Sequence, residues 1–142
     1  MRLAVRKTAT VTNDVGRTLS TLDTRAPPDP ATVERLTAAA GMTLPNEYLT
    51  FMASSDGGEG DLGRTWIEIW PAARVLGELE SRPPHYGGVV LFAGNGANTV
   101  YGFDRFRDGE VVEGDWIGLN RDELIAHGTF ANFVTNLVAA QE

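Results

Sequence analysis

Apolar residues recur at the spacing of an α-helix in the first half of the chain. Val33 and Leu36 fall on one face of a predicted helix that begins at Asp29 and Pro30. The aspartate can cap the first free amides, and the proline suits the first helical position. Gly41 can end the helix in a left-handed conformation.

A second helix is predicted shortly after the first. It begins at Pro45, buries Tyr48 on one face, and ends before Asp56. The stretch over residues 56–60 combines glycines with carboxylates, and we interpret it as a glycine-rich loop that displays acid to solvent. Residues 44–60 are therefore expected to form a helix–loop–strand corner.

Strand patterns dominate the middle of the chain. Residues 64–70 alternate two isoleucines with a Trp-Glu-Trp set, which predicts a strand with two different faces. A proline opens a short predicted helix over residues 71–76. Residues 89–92 predict a buried strand, and the Asn-Gly pair at 95–96 predicts a tight turn into a return strand over residues 98–103.

The last third of the chain predicts one more hairpin and two helices. The Asp-Gly pair at 108–109 turns into a strand that runs towards residue 117. Asn120 and Glu123 form a capping box for a short helix through Ile125, and Thr129 can cap a final amphipathic helix. The whole pattern predicts a single α+β domain, with a mainly antiparallel meander sheet covered by helices.

The first 28 residues differ from the rest. They lack helical periodicity, alternate weakly between residues 3 and 11, and end at a pair of prolines. We predict that residues 1–28 are an N-terminal arm or edge strand and that residues 29–142 form the domain.

The charged residues are unevenly distributed, and the part of the chain after residue 28 is strongly acidic. The chain carries 19 acidic and 12 basic residues, for a net charge of −7. Residues 1–28 hold five basic and two acidic residues, a net charge of +3, so the rest of the chain carries −10. This part of the chain would repel phosphate backbones and attract a basic protein, although acidity also serves solubility alone. We expect no nucleic-acid partner.

Cellular location follows from what the chain lacks. It contains no cysteine, so disulfides and thiolate zinc sites are excluded. No continuous apolar run follows the first residues as in a signal peptide, and no stretch has the length of a membrane span. We expect a cytoplasmic protein without a membrane partner.

Histidines and serines give little sign of catalysis. His85 lies in a proline-rich loop, and His127 is expected at a helix end, where the helix dipole explains it. Ser54 and Ser55 are not surrounded by the glycines of a nucleophile elbow. We therefore expect no enzymatic activity.

The carboxylates of the corner do not form a recognisable metal or phosphate site. Their spacing lacks the alternation of a calcium-binding loop, and the nearby glycines lack the lysine of a phosphate loop. We expect no cofactor and no metal. A small hydrolase or ligand-binding enzyme that uses Asp56, Glu59 and His85 is the alternative.

Surface recognition is the chemistry that the pattern favours. Trp66 and Trp70 share a predicted strand face with Glu68, as in a hot spot for a basic patch, although for each tryptophan taken singly burial in the core is the slightly favoured explanation. The candidate partner-binding residues are Asp56, Glu59, Asp61, Trp66, Glu68, Trp70, Asp104, Glu110, Glu113 and Asp115.

Six short motifs follow one another along the chain. They are Leu44-Pro45-x-x-Tyr48-x-x-Phe51, Gly57-Gly58-x-Gly60, Trp66-Ile67-x-Ile69-Trp70-Pro71, Phe92-Ala93-Gly94-Asn95-Gly96, Tyr101-Gly102-Phe103-Asp104 and Phe130-x-x-Phe133-Val134. Taken in this order, the motifs resemble the Smi1/Knr4 (SUKH) superfamily across roughly residues 29–139. An aspartate stands at position 56, where asparagine is frequent in that family.

The resemblance implies an α+β fold and a role without catalysis. Many bacterial members of the superfamily are immunity proteins that bind and neutralise a polymorphic toxin, often a nuclease. Fungal members act as interaction hubs in cell-wall signalling. We therefore expect an immunity protein with an acidic binding surface for a cognate toxin, and a regulatory interaction scaffold is the alternative.

Overall fold

A seven-stranded sheet organises the computed structural model, which describes residues 15–81 and 87–139. Neighbouring strands in the sheet are also neighbours in sequence, and every pair is antiparallel. The predicted α+β domain with an antiparallel meander is therefore confirmed. The strands are β1 (Asp23–Thr24), β2 (Gly58–Leu62), β3 (Thr65–Ile69), β4 (Val89–Gly94), β5 (Thr99–Asp104), β6 (Glu110–Asp115) and β7 (Ile125–Gly128).

Five helices accompany the sheet in the described part of the chain. Two of them begin with the caps that the sequence predicts. Asp29 accepts a hydrogen bond from the amide of Ala31 at 3.0 Å, and the Thr129 hydroxyl accepts one from the amide of Asn132 at 3.1 Å. The helices are α1 (residues 15–20), α2 (Pro30–Ala39), α3 (Asn46–Ser54), α4 (Ala72–Ser81) and α5 (Phe130–Ala139).

An aromatic cluster fills the core between the sheet and helices α3 and α5. Phe92 of β4 stacks on Phe103 of β5 with ring centroids 4.1 Å apart. Tyr48 of α3 meets both rings edge-on, and Phe130 and Phe133 of α5 pack against the same group. Edge-to-face pairs of this kind add to the stabilisation that burial provides.

The hydroxyl of Tyr48 finds no hydrogen-bond partner among the described residues, although the residue is fully buried. Burial and then the negative charge of Asp56 raise the pKa of Tyr48 above its ordinary value. A buried hydroxyl without a partner costs free energy, so the ring of Tyr48 and not its polar group stabilises the core.

The opposite face of the sheet contains a row of register partners that includes two glycines. Glu68, Gly94, Val100 and Gly114 are successive register partners from β3 to β6, so they share one face. Two of the four are glycines. The middle of this face therefore has room for a recess.

Strand β2 occupies most of the stretch that the sequence assigns to a glycine-rich loop. Gly58 lies between Thr24 of β1 and Ile69 of β3. At Gly57, where φ is 80°, a Cβ atom would lie 2.1 Å from the carbonyl oxygen of Ile69. Glycine is needed here because the backbones approach closely. The prediction of an open acidic loop over residues 56–60 is therefore wrong from residue 58 onwards.

Two further elements differ from the prediction. Asn120 caps a single 3₁₀ turn, Arg121–Glu123, and not the short helix that the capping box predicts. Ile125 instead begins β7, which pairs with β6, because sheet pairing outweighs the local capping signal. Helix α4 is also longer than the predicted 71–76 and extends to Ser81.

The described part of the N-terminal segment packs onto the domain. Residues 15–20 are helical although no helical periodicity is evident in the sequence, and Val15, Leu19 and Leu22 belong to the hydrophobic core. The weak alternation of residues 3–11 lies outside the described residues, and the boundary at residue 28 stays a prediction. No described helix is both long and apolar enough to cross a bilayer.

Candidate functional site

Asp56 is a helix cap. Its Oδ1 atom accepts a hydrogen bond of 2.8 Å from the amide of Ala72, the first residue of α4. A carboxylate at this position satisfies a free amide and lies at the positive end of the helix dipole. The side chain that the sequence places in a display loop therefore has a structural role.

Arg25 links Glu59 of the corner to Glu68 of the neighbouring β3. Its Nη2 atom lies 3.1 Å from Oε2 of Glu68 and 3.4 Å from Oε1 of Glu59, and its Nη1 atom donates to the carbonyl oxygen of Asp56. These side chains are partly exposed, so each pair contributes little to stability. The main consequence is electrostatic, because the positive charge of Arg25 in the basic N-terminal segment offsets the negative charges of Glu59 and Glu68.

Asp104 is completely buried and lies beneath the surface to which the sequence assigns it. Arg121 holds its carboxylate with two hydrogen bonds of 2.7 and 3.0 Å, and the amide of Phe106 donates a third. Burial opposes ionisation, but these bonds and the charges of Arg121 and Arg107 keep the pKa of Asp104 below its ordinary value. Asp104 is therefore a structural anchor and not a contact residue.

Arg121 joins the turn that follows β6 to the rest of the domain. Besides Asp104, its guanidinium donates to the carbonyl oxygen of Gly87 at 2.6 Å and lies over the ring of Phe106. Leu119 and Leu124, on either side of it, lie over Gly114 of β6. This buried ion pair thus fixes the 116–124 segment against the sheet.

A recess of about 270 Å³ opens on the sheet face that α3 and α5 do not cover. The rings of Trp70 and Trp116 stand perpendicular in it, with centroids 6.0 Å apart. Trp66 borders it, because its ring lies against Gly96. We call this recess the tryptophan cleft, and its main lining residues are Glu68, Trp70, Arg74, Gly94, Val100 and Trp116.

One guanidinium already occupies part of the tryptophan cleft. The Cζ atom of Arg74, on α4, lies 3.9 Å from the ring centroid of Trp70. Its Nη1 atom lies 3.8 Å from Oε1 of Glu68. The cleft therefore combines aromatic faces, a carboxylate and an internal cation.

A second recess, of about 200 Å³, lies at the β6–β7 edge. Asp115 and Glu123 are exposed there, and neither carboxylate pairs with another described residue. Glu113 differs from Asp115 and Glu123 because it has a partner: its Oε1 atom lies 2.9 Å from Nε2 of His127. We call this recess the acidic depression, and its main lining residues are Glu113, Asp115, Gly118, Asn120, Glu123 and Ile125.

His127 lies in β7 and not at a helix end, so that prediction is wrong. Its ring packs edge-on against Phe133 and Tyr101. Burial and then the charge of Glu113 raise the pKa of Tyr101 to about 12. The surroundings of His127 are thus a packed aromatic edge, which accounts for the residue without catalysis.

Large apolar side chains are exposed beside both recesses. Ile117 is 78% exposed and Ile125 is 56% exposed next to the acidic depression, and Trp66 is 37% exposed beside the tryptophan cleft. The turn after β6 connects the two sites, because Trp116 lines one and Asp115 lines the other. Apolar groups surrounded by polar ones are typical of a protein-binding surface.

The remaining candidate residues lie apart from these recesses. Asp61 is exposed on β2, opposite Trp66 on β3. Glu110 borders a wider groove of about 570 Å³ together with Glu47 and Asp108. The structure therefore brings Glu68 and Trp70 together in one recess and Glu113 and Asp115 in the other.

Sequence reasoning missed several residues of the two recesses. Arg74 lies on α4 and Glu123 in the 3₁₀ turn Arg121–Glu123, so the strand pattern includes neither of them. The exposed Ile117 lies beside the acidic depression, just after the end of β6. Trp116 did carry a signal, because it directly follows an acidic stretch in a predicted strand. No local pattern places it opposite Trp70.

The hydrolase alternative finds little geometric support. Asp56 is engaged with Ala72, Glu59 with Arg25, and neither lines the two recesses. His85 lies outside the described residues. Among the residues that the structure describes, no group of three or more His, Cys, Asp or Glu is placed to hold a metal ion.

Comparison with family models and with curated proteins adds no relative. No family model matches the chain, and no curated protein matches it significantly. The resemblance to the SUKH superfamily therefore rests on the motifs themselves, within a fold that agrees with the α+β class that they imply.

Proposed function

We propose that this protein is a non-catalytic, cytoplasmic binding domain of the immunity-protein type, which neutralises a toxin by covering a basic active-site cleft. One observation carries the proposal. The carboxylates of Asp115 and Glu123, which pair with no other residue that the structure describes, line a recess next to the exposed Ile117 and Ile125. The motif resemblance supports a toxin as the partner.

The two kinds of side chain have different tasks in this proposal. The carboxylates attract the basic partner and speed its approach, since an acidic patch steers association over distances near the Debye length. Ile117 and Ile125 supply apolar area that the partner removes from water. The surface is therefore at the β6–β7 edge and not at the 44–60 corner.

The experiment is a binding and inhibition assay with the toxin encoded by a neighbouring gene. We expect the full-length protein to bind this toxin, to block its activity, and to bind more weakly as the salt concentration rises. Asp115→Asn combined with Glu123→Gln should lower the association rate roughly two- to tenfold. Surface plasmon resonance at several ionic strengths measures both effects.

A matched control removes the same charge elsewhere. Glu34→Gln combined with Glu80→Gln changes exposed residues of α2 and α4, which line neither recess. This pair should leave the association rate close to that of the unmodified protein. Salt-insensitive binding, or an equal effect of both double variants, would contradict the electrostatic surface, and absence of any inhibition would contradict the immunity function.

A further inference from the structure

The position of Arg74 shows that the tryptophan cleft accommodates a guanidinium group. Its Cζ atom lies 3.9 Å above the ring of Trp70, within the range of a cation–π contact. A planar guanidinium stacks on an indole ring and pairs with a carboxylate such as Glu68 at the same time. The cleft thus has the chemistry of an arginine site.

Arg74 is only weakly held in this position. Its side chain is 44% exposed, and its ion pair with Glu68 is long, at 3.8 Å. Glu68 makes its shorter contact, of 3.1 Å, with Arg25. Glu68 therefore keeps a hydrogen-bonded partner when Arg74 moves away.

The cleft also has room for a second side chain. About 270 Å³ is unfilled, and Gly94, Gly96 and Ala97 leave the sheet side of the cleft without long side chains. Trp116 adds an indole ring perpendicular to that of Trp70. Trp70 is buried and Arg74 covers its ring, so an incoming cation can lie against that ring, beside the edge of the Trp116 ring, once Arg74 has left it.

We propose that the tryptophan cleft receives an arginine side chain of the protein partner, and that Arg74 fills this site in the free protein and is displaced on binding. The partner's identity rests on the proposed function, but the chemistry of the cleft does not. The cleft adjoins the acidic depression at the turn after β6. A partner that covers the depression can thus place an arginine in the cleft.

The test is a titration of the full-length, ¹⁵N-labelled protein with N-acetyl-arginine amide, followed by NMR. The chain has three tryptophans, so three indole N–H signals report directly on the site. We expect the signals of Trp70 and Trp116 to shift. In Arg74→Ala the apparent dissociation constant should fall roughly three- to tenfold, because the internal competitor is gone.

Two further variants sharpen the test. Arg74→Gln keeps the methylene groups over Trp70 but removes the charge, so it should also bind the probe more tightly. Glu68→Gln in the Arg74→Ala background should reverse most of the gain. Arg35→Ala is the matched control, since Arg35 makes an equally long ion pair, 3.8 Å to Glu80, away from the cleft.

Several results would overturn the proposal. One is a dissociation constant that rises or stays the same in both Arg74 variants. Another is an equal response to N-acetyl-glutamate amide or N-acetyl-lysine amide, because the site would then not select a guanidinium. The titration needs no toxin, so its failure leaves the proposed function standing, and a failure of toxin inhibition leaves the arginine site standing.

Discussion

Two regions of this protein place carboxylates among glycines, but the two sets of acids are held very differently. In the corner, Asp56 caps α4, and Arg25 pairs with Glu59 and with Glu68 of the neighbouring β3. In the acidic depression, Asp115 and Glu123 have no partner among the described residues. The corner therefore uses these acids for structure, whereas Asp115 and Glu123 are the carboxylates to which the proposed recognition assigns a role.

The difference arises from groups that are distant in sequence. Arg25 is separated from Glu59 by 34 positions and from Glu68 by 43. Asp104 is the extreme case, since the fold buries it completely and supplies Arg121 to neutralise it. An acidic sequence thus predicts charge, but the availability of that charge depends on tertiary neighbours.

The largest expected effect follows from removing the partner of Asp104. Arg121→Met leaves the buried carboxylate with only the longer Arg107 bridge and the Phe106 amide, so we expect the free energy of unfolding to fall by about 2–3 kcal/mol in urea denaturation. The turn that lines the acidic depression should loosen as well. Arg107→Met, which removes the more exposed bridge at 3.3 Å, should cost at most about 1 kcal/mol. Equal losses in the two variants would contradict the role of Arg121.

The same ion pair predicts how stability depends on pH. The pKa of Asp104 is lower in the folded protein than in the unfolded chain, so its contribution is complete above pH of about 4 and is lost as the pH falls further. Urea midpoints measured over an acidic pH series should therefore fall steeply for the unmodified protein. Arg121→Met should flatten this dependence, and parallel curves would argue against the assignment.

Replacing one acid of each region by alanine tests the comparison directly. Asp56→Ala removes a helix cap and should lower stability by about 1 kcal/mol, without a specific loss of partner binding. Asp115→Ala should leave stability within about 0.5 kcal/mol and slow association with the partner. Thermal denaturation and binding kinetics of both variants separate the two roles. The comparison fails if Asp115→Ala proves the more destabilising.

The smallest expected effect concerns the corner helix itself. Tyr48→Phe removes a buried hydroxyl that has no partner in the described part of the chain, and it keeps the ring against Phe92 and Phe103. We expect stability to be unchanged or to rise by up to about 1 kcal/mol in thermal denaturation. A clear loss would reveal that the hydroxyl has a partner, such as an ordered water.

Local patterns were enough for the elements whose signals lie within a few residues. The caps at Asp29 and Thr129, the turn at 95–96 and the amphipathic stripe of α5 all formed as the sequence predicts. These signals act over one helical turn or one hairpin, so they do not depend on the rest of the fold. The meander follows from them because successive hairpins pair neighbouring strands.

Tertiary structure alone decided the rest. From the sequence alone, the glycines of β2 predict a loop, but in the structure β1 and β3 pair with them on either side. The sequence likewise predicts a helix at Ile125, but in the structure this residue lies in β7, which pairs with β6. The strand pattern did place Trp66, Glu68 and Trp70 on one face, but Trp116 and Arg74 complete the cleft from other elements. Periodicity describes neighbours along the chain, whereas burial, ion pairing and the lining of a recess depend on neighbours in space.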